Sequence, residues 1–206
     1  FFNKFFDASQ DKVFLYKPGV PLWIVAQCQF HLRQFPRFAK RFSVLKFASH
    51  DQLREVFGRL IAKKPRDDVF EQLALSLIPK FFPLSYLEGY EDFLKLTCNA
   101  NVPKNPEVIC TSTAFVDDDG FKLYTAEMLE KGGKLITTQH GGHNGMTPFS
   151  PIEDHSIAIS DKFLSWGWQD IDRPKVKPVG NLRYAGDRVR HNPNGPALLL
   201  TFDTTR

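Results

Sequence analysis

Apolar residues recur at helical spacing in the first hundred residues. One stripe of apolar positions runs through residues 53–61 and a second through residues 70–78, with neighbours three and four residues apart. Residues 49–52 have the S-x-x-Q form of a capping box, which is typical of a helix start. A further helical stretch is indicated within residues 81–96. We therefore predict a mainly helical region over residues 1–100.

The pattern changes from residue 103, where short apolar runs alternate with proline, asparagine and glycine. Apolar runs at residues 108–111 and 134–139 flank a helical segment that a pair of glycines ends. A strand, a helix and a strand within about 30 residues form a βαβ unit, which joins two parallel strands by a right-handed crossover. The chain is thus predicted to be an α/β protein with a Rossmann-like parallel sheet over residues 101–185. Further strands are predicted at residues 157–160, 163–166 and 176–179.

The last twenty residues differ again. Residues 186–196 are polar and rich in turn formers, so we predict a linker there. The apolar run at 197–202 follows, and we assign residues 197–206 to the first strand of a second, truncated domain. Because native domains rarely stop directly after a core strand, we expect both ends of the chain to be truncated.

Composition narrows the functional classes. Among 206 residues, 42% are hydrophobic and 20 are phenylalanine, which indicates a folded core and excludes a disordered chain. The net charge of +4 suits anionic ligands such as phosphates or sugar nucleotides, and it does not by itself indicate nucleic-acid binding. Three cysteines without a close pair favour a reducing compartment, and no apolar run is long enough for a transmembrane helix.

An aromatic and basic segment lies within residues 1–48, where FHLRQFPRFAKRF interleaves phenylalanine with arginine and lysine. One interpretation is a surface for anionic partners, such as a membrane or a nucleic acid. The other is a set of helices whose phenylalanines enter a core while the basic groups stay in water. We favour the second interpretation and leave peripheral membrane association open.

The strongest candidate for chemistry is His140, which follows the predicted strand KLITTQ. In open α/β sheets, ligands bind outside the carboxyl ends of the strands. Gly141 and Gly142 allow close approach of a ligand to the main chain, and their N–H groups could form an anion-binding nest. An imidazole beside them could accept a proton from an attacking hydroxyl or donate a hydrogen bond to a phosphate. The alternative is a tight turn with a structural histidine.

Further candidates follow in the same segment. His143 and His155 are assigned to substrate binding. His140 and His143 lie across a flexible glycine turn and lack the helical spacing of a metal site, so no metal is predicted. Glu153 is assigned as an acid that orients an imidazole or a sugar hydroxyl, with a plain surface carboxylate as the alternative. Alternation would place Trp166 and Trp168 on one face, where one ring could line a sugar site. Trp168 is assigned to that role, and core packing is the alternative, favoured for at least one of the two rings.

The segments TTQHGGHNG, ISDKFLSWGW and KPVGN, with Glu153 between the first two, resemble a group of transferases of bacterial surface-carbohydrate and lipopolysaccharide O-antigen biosynthesis. FPLSYLEGYEDF, TSTAF and FKLYTAE resemble the same group, and the resemblance covers about residues 70–206. This group is similar in layout to GT-B glycosyltransferases, in which two Rossmann-like domains face a cleft and the second holds most of the nucleotide-sugar donor. It is distantly similar to CDP-glycerol glycerophosphotransferases, which place a His-Gly pair after a strand of the first domain.

The resemblance implies that His140 is a base or a phosphate contact and that Gly141 and Gly142 form its turn. The sequence departs from the group at His143 and Asn144, where a glycine and an aromatic residue are usual. It departs again at Ser156, where a second acid is usual.

Residues and resemblance together predict the N-terminal part of a glycosyltransferase. A sugar would pass from a nucleotide-activated donor to a glycan or lipid-linked acceptor, with no cofactor besides that donor. His140 would deprotonate the acceptor hydroxyl or steady the leaving phosphate, and Glu153 would assist. The predicted location is cytoplasmic, with the inner face of the membrane left open, and no nucleic acid is expected.

The alternatives are polyol-phosphate transfer from a CDP-linked donor and a non-catalytic module that binds sugar or phosphate. Because the cleft needs two domains, we expect this segment alone to be inactive. The oligomeric state is left open.

Overall fold

The computed structural model describes residues 9–38, 42, 46–62, 68–187 and 192–196. Within these ranges the strands are β1 (Val13–Leu15), β2 (Val108–Thr111), β3 (Lys134–Thr138), β4 (Lys162–Ser165) and β5 (Val176–Pro178). The helices are α1 (Leu22–His31), α2 (Asp51–Ile61), α3 (Val69–Phe81), α4 (Tyr90–Asn99), α5 (Ala114–Asp117), α6 (Asp119–Glu130) and α7 (Pro151–Ile159). Two 3₁₀ turns span Leu84–Tyr86 and Leu182–Tyr184.

The described strands form one sheet in which all neighbours are parallel and the order is β1-β2-β3-β4-β5. The predicted α/β class with a parallel sheet is therefore confirmed. The helices predicted in the first hundred residues are also present, although His50 rather than Ser49 caps α2, with its ring nitrogen accepting from the Leu53 N–H. Strands at 108–111, 134–138, 162–165 and 176–178 match four of the five runs predicted within residues 101–185.

The strand predicted at 157–160 is wrong, because residues 157–159 complete helix α7. The helix is specified at its start. The Ser150 hydroxyl accepts from the Glu153 N–H, and Pro151 occupies the first turn, where its missing N–H costs nothing. The short apolar run at 157–159 is therefore the end of a helix that buries Ile157, and not a strand.

Strand β1 lies in the region for which only helices were predicted. Its free edge is covered by one side chain, since the Gln34 carboxamide accepts from Val13 N at 3.1 Å and donates to Val13 O at 2.9 Å. An unpaired strand edge is otherwise open to other chains. Gln34 thus takes the place of a strand neighbour at Val13, on the outer side of β1.

The core lies on one face of the sheet. Phe14, Ile109 and Leu135 are neighbours in register across β1, β2 and β3, and their side chains pack against α6. Further along, Phe163 and Val176 face each other and pack against Ile157 of α7. Both helices therefore cover the same face, as right-handed crossovers between strands in sequential order require.

The phenylalanines of the aromatic and basic segment do not enter the core as a set. Phe42 is buried, whereas Phe30 and Phe38 are 64% and 54% exposed. Helix α1 is apolar around most of its circumference, so it cannot bury every side chain on one face of the sheet. The expectation that these phenylalanines are core residues is thus wrong for Phe30 and Phe38.

Two further observations concern the predicted boundaries. Residues 186–187 and 192–196 of the predicted linker lie outside helices and strands, and the strand predicted at 197–202 lies outside the described residues. The division into domains stays a prediction.

In the part of the chain that the structure describes, every helix is too short or too polar to cross a bilayer.

Candidate functional site

The carboxyl ends of the five strands meet at a cavity of about 360 Å³. Each strand is followed by a residue that lines it, as expected for ligand sites in open parallel sheets. Val20 and Pro21, at the start of α1, complete the wall. The lining residues that follow β1 to β5 in turn are Gly19, Ser112, Gln139 with His140, Trp166 and Arg183.

His140 lies where the sequence places it, exposed at the end of β3 and in the cavity wall. Its Nδ1 atom lies 3.4 Å from the Ser112 hydroxyl, which in turn donates to the Thr138 carbonyl at 3.5 Å. When the ring proton is on Nδ1, the Ser112 oxygen accepts from it, and the hydroxyl proton is left for the Thr138 carbonyl. This arrangement leaves Nε2 as the nitrogen that can accept a proton.

The loop after β1 supports the contact between His140 and Ser112. Its main chain is tied to the two neighbouring strands, because Ser112 N donates to Lys17 O at 2.9 Å and the Thr138 hydroxyl donates to Pro18 O at 3.0 Å. Gly19 has a φ of +74° and lies against Ser112. Sequence reasoning missed this loop, although an apolar run followed by Pro18-Gly19 is a strand and turn signal.

Gln139 is a second residue that sequence reasoning missed. Its side chain is buried and makes three hydrogen bonds. The Nε2 atom donates to Gly141 O at 2.7 Å, while Oε1 accepts from Trp166 N at 2.8 Å and Trp168 Nε1 at 2.9 Å. Gln139 therefore joins the segment after β3 to the segment after β4. No signal in the sequence separates it from a surface glutamine.

Glu153 does not lie in the cavity wall. It is 3% exposed, and both carboxylate oxygens are engaged. Oε2 accepts from Gly145 N at 2.6 Å and Oε1 pairs with Arg173 Nη2 at 3.0 Å. Arg173 also pairs with Asp170, and that hydrogen bond, with the Glu153 charge, raises the pKa of the guanidinium above its ordinary value.

The two tryptophans lie in different places. Strand β4 ends at Ser165 and Gly167 has a φ of +119°, so strand alternation does not continue through residue 168. Trp166 lines the cavity, whereas the Trp168 ring packs on Phe163 with centroids 5.8 Å apart.

The remaining candidates lie outside the cavity wall. The segment of residues 140–144, here called the histidine turn, carries Gly141 and Gly142, and the His143 ring lies over Gly141. His155 is on α7, where its ring contacts Phe115 at 5.9 Å between centroids. The structure thus brings His140 together with Ser112 and does not bring His143 or His155 to them. Across the described residues, no three His, Cys, Asp or Glu side chains are grouped as metal ligands.

The carboxyl ends of the strands in an open parallel sheet are the usual place for a ligand site, and here they converge on a cavity whose wall includes an exposed imidazole. The chain belongs to a family of transferases, since residues 1–206 match the family described as LIC12162 family transferase. The protein is accordingly a transferase. Comparison with curated proteins and with solved structures gave no match.

Proposed function

We propose that this transferase moves a sugar from a nucleotide-activated donor to a hydroxyl of a glycan or lipid-linked acceptor, in the synthesis of bacterial surface polysaccharide such as O-antigen. We further propose that the parallel sheet is the Rossmann-like N-terminal domain of a GT-B layout. The family membership supports group transfer. The resemblance of the segments around His140 to surface-carbohydrate transferases supports a sugar as the group.

The observation that carries the proposal is the contact between His140 and Ser112. Because Nδ1 faces the Ser112 hydroxyl, Nε2 is left to face a substrate hydroxyl. A histidine with one nitrogen oriented by a fixed partner and the other available is the usual arrangement of a general base. The cavity at the strand ends gives the acceptor a place to bind.

The proposed step moves one proton and exchanges one bond. The acceptor O–H gives its proton to His140 Nε2 while its oxygen bonds to the anomeric carbon of the donor. The bond from that carbon to the phosphate oxygen breaks, and its electron pair leaves with the nucleoside diphosphate. Arg183 lines the same cavity, and its positive charge suits the charge that develops on the leaving group.

The other candidate residues take different roles in this proposal. Trp166 provides the aromatic wall on which a sugar ring can stack. Glu153 assists His140 without touching the substrate, since its oxygens are already engaged. Gly141, Gly142, His143, His155 and Trp168 lie outside the cavity wall, and the proposed step does not depend on direct contact with them.

The three cysteines are free thiols and two are exposed, which suits a reducing compartment. We therefore propose a cytoplasmic site of action, where the nucleotide-activated donor would be available. A lipid-linked acceptor would then bring the enzyme to the inner face of the membrane.

The test is turnover by the protein expressed from its complete reading frame, with a panel of nucleotide sugars and with CDP-glycerol. His140→Ala should lower kcat by a factor of roughly 10² to 10⁴, the usual contribution of a general base. His31→Ala, which removes an exposed histidine on α1, is the matched control and should keep full activity. Circular dichroism checks that both variants fold.

Three results would contradict the proposal. Full turnover by His140→Ala would show that His140 is not the general base. Turnover with CDP-glycerol and none with nucleotide sugars would favour polyol-phosphate transfer. Binding of a nucleotide sugar without turnover by the wild type would indicate a non-catalytic module.

A further inference from the structure

The histidine turn is exposed along its middle and anchored at both ends. His140, Gly142 and His143 are exposed, and no heavy atom of the described residues lies within 4 Å of the position a Cβ would take at Gly142. An exposed turn with two consecutive glycines has many conformations available to it. The direction of the His140 ring therefore depends on what fixes the residues on either side.

The first anchor is Gln139, immediately before the turn. Two N–H groups from the segment after β4 point at its Oε1, and the Gly141 carbonyl points at its Nε2. Only a carboxamide in one orientation satisfies all three groups, because the oxygen accepts and the nitrogen donates. A glutamate of the same size would accept from both tryptophans, but its second oxygen would face the Gly141 carbonyl.

The second anchor is Glu153, which holds Gly145 immediately after the turn. Gly145 N donates to its carboxylate at 2.6 Å, a short bond of the charge-assisted kind. Gly145 has a φ of +76°, and a Cβ there would lie 2.6 Å from the Trp168 ring. The main chain at the end of the turn thus contacts a buried carboxylate on one side and an indole ring on the other, although Gly145 itself is exposed.

The two anchors share a support. Trp168 donates to Gln139 through Nε1, and its ring covers Gly145. Arg173 pairs with Glu153 at 3.0 Å and lies over the Trp168 ring at 5.9 Å from its centroid. A continuous set of contacts therefore runs from one end of the turn to the other, and within the turn it includes the Gly141 carbonyl and leaves Gly142 and His143 free of it.

We propose that Gln139 and Glu153 are positioning residues, which hold the ends of the histidine turn so that His140 keeps its alignment with Ser112 and the cavity. This inference rests on the proposed role of His140 as a base. Glu153 would position His140 by holding the main chain of Gly145. Gln139 would do the same from the other end of the turn. Misplacement of a reacting group by about 1 Å can lower a rate by a factor of about 10². Loss of either anchor should therefore lower kcat more than it changes KM.

The test compares Gln139→Glu and Glu153→Gln with two matched controls. Gln169→Glu makes the same change at an exposed glutamine of the segment after β4. Asp154→Asn neutralises the neighbouring carboxylate, which also pairs with Arg173 but does not touch the turn. In the complete protein, each anchor variant should lower kcat by roughly 10- to 100-fold with KM within about twofold. Both controls should match the wild type in kcat and KM.

A second readout needs no turnover. Amide hydrogen exchange at Gly145 should be much faster in Glu153→Gln than in Asp154→Asn. The His140 ring Cε1–H signal in NMR spectra should split or broaden in Gln139→Glu and stay single in Gln169→Glu. Unchanged exchange and an unchanged ring signal in the anchor variants would overturn the inference, whatever the activity.

The readouts separate this inference from the proposed function. If the wild type transfers no sugar but the exchange and ring signals change as expected, the anchors are supported and the proposed function fails. If the wild type is active and both anchor variants keep full kcat, the anchors are overturned and the base is untouched. If the loss of kcat is explained by a lowered melting temperature, that is, by a smaller folded fraction, the residue has a structural role and the inference also fails.

Discussion

Gly19 and Ser112 touch across the ends of β1 and β2, because a Cβ built on Gly19 would lie 3.0 Å from the Ser112 hydroxyl oxygen. That hydroxyl is the partner of His140 Nδ1. The loop after β1 therefore sets the position of the serine, and the serine sets the orientation of the proposed base. A substitution at Gly19 should therefore alter the orientation of His140 through Ser112, without direct contact between residues 19 and 140.

We expect Gly19→Ala to impair both stability and turnover. The φ of +74° should make alanine unfavourable by roughly 1 to 2 kcal/mol, and the methyl group should displace the Ser112 hydroxyl. Gly180→Ala is the control, since Gly180 has a φ of +87° and no described heavy atom within 4 Å of its Cβ position. Urea unfolding should show a loss for both variants, larger for Gly19→Ala because Ser112 must move, whereas turnover should fall only for Gly19→Ala. Equal turnover would show that the glycine serves the backbone alone.

Trp166 should report ligand binding. It lines the cavity, whereas Trp23 packs on Gly186 and is absent from the cavity wall. We expect UDP or CDP to change the intrinsic fluorescence of the wild type and of Trp23→Phe. The change should vanish in Trp166→Phe, because the ring that contacts the ligand is gone. A ligand-dependent signal that survives this substitution would place the binding site elsewhere.

How much of this site could be predicted depends on how far apart in the sequence the contacting residues lie. His140 was found because an apolar run and two glycines lie next to it, and the sheet-edge rule then fixes its position. Strand β1 was missed because it has only three residues and pairs with β2, which follows a long helical region. A run so short carries little periodic signal.

The contacts of Gln139 and Glu153 could not be predicted for a related reason. Each depends on how the segments after β3 and β4 pack together, which no local pattern encodes. Trp166 and Trp168 show the same limit, since the end of β4 at Ser165 separates two rings that alternation would have placed together. Tertiary packing decides these positions, and propensity does not.

The thiol of Cys110 should resist modification in the folded protein. Burial, with a smaller contribution from Cys28, raises the pKa of Cys110 to about 12. At pH 8 its reactive thiolate is therefore scarce, whereas Cys28 and Cys98 are exposed. Because Cys110 is half-buried, a chromogenic disulfide reagent should modify two thiols quickly and the third much more slowly, and denaturant should remove the difference. Rapid modification of all three, or of the Cys28→Ser, Cys98→Ser double variant, would contradict this expectation.

Arg54 and Glu88 connect the helical hairpin of α2 and α3 to the chain that follows it. The Arg54 guanidinium pairs with Glu88 at 2.6 Å and donates to the carbonyls of Pro79 at 2.8 Å and Phe82 at 3.0 Å, at the end of α3. Both side chains are largely buried, at 11% and 6% exposure. One arginine thus satisfies carbonyls that the helix end leaves open.

We expect Arg54→Met to lower the free energy of unfolding by about 3 kcal/mol, because it leaves a buried carboxylate and several carbonyls without a partner. Arg59→Met is the matched control on the same helix. Arg59 and Glu55 form a pair in which both side chains are 70% exposed, and such a pair contributes at most about 1 kcal/mol. Urea unfolding of both variants measures the difference, and equal losses would show that the Arg54 contacts contribute no more than a surface pair.

The same pair should make stability depend on pH. The hydrogen bond from Arg54 holds the pKa of Glu88 below its ordinary value of 4.5. Because the folded pKa is the lower one, the pair contributes fully above about pH 4.5, and its contribution declines as the pH falls toward the folded pKa. The free energy of unfolding, measured in urea between pH 7 and about pH 3.5, should fall more steeply for the wild type than for Glu88→Gln. The glutamine variant has no proton to gain at this position, so parallel curves would mean that Glu88 titrates alike in the folded and unfolded chains.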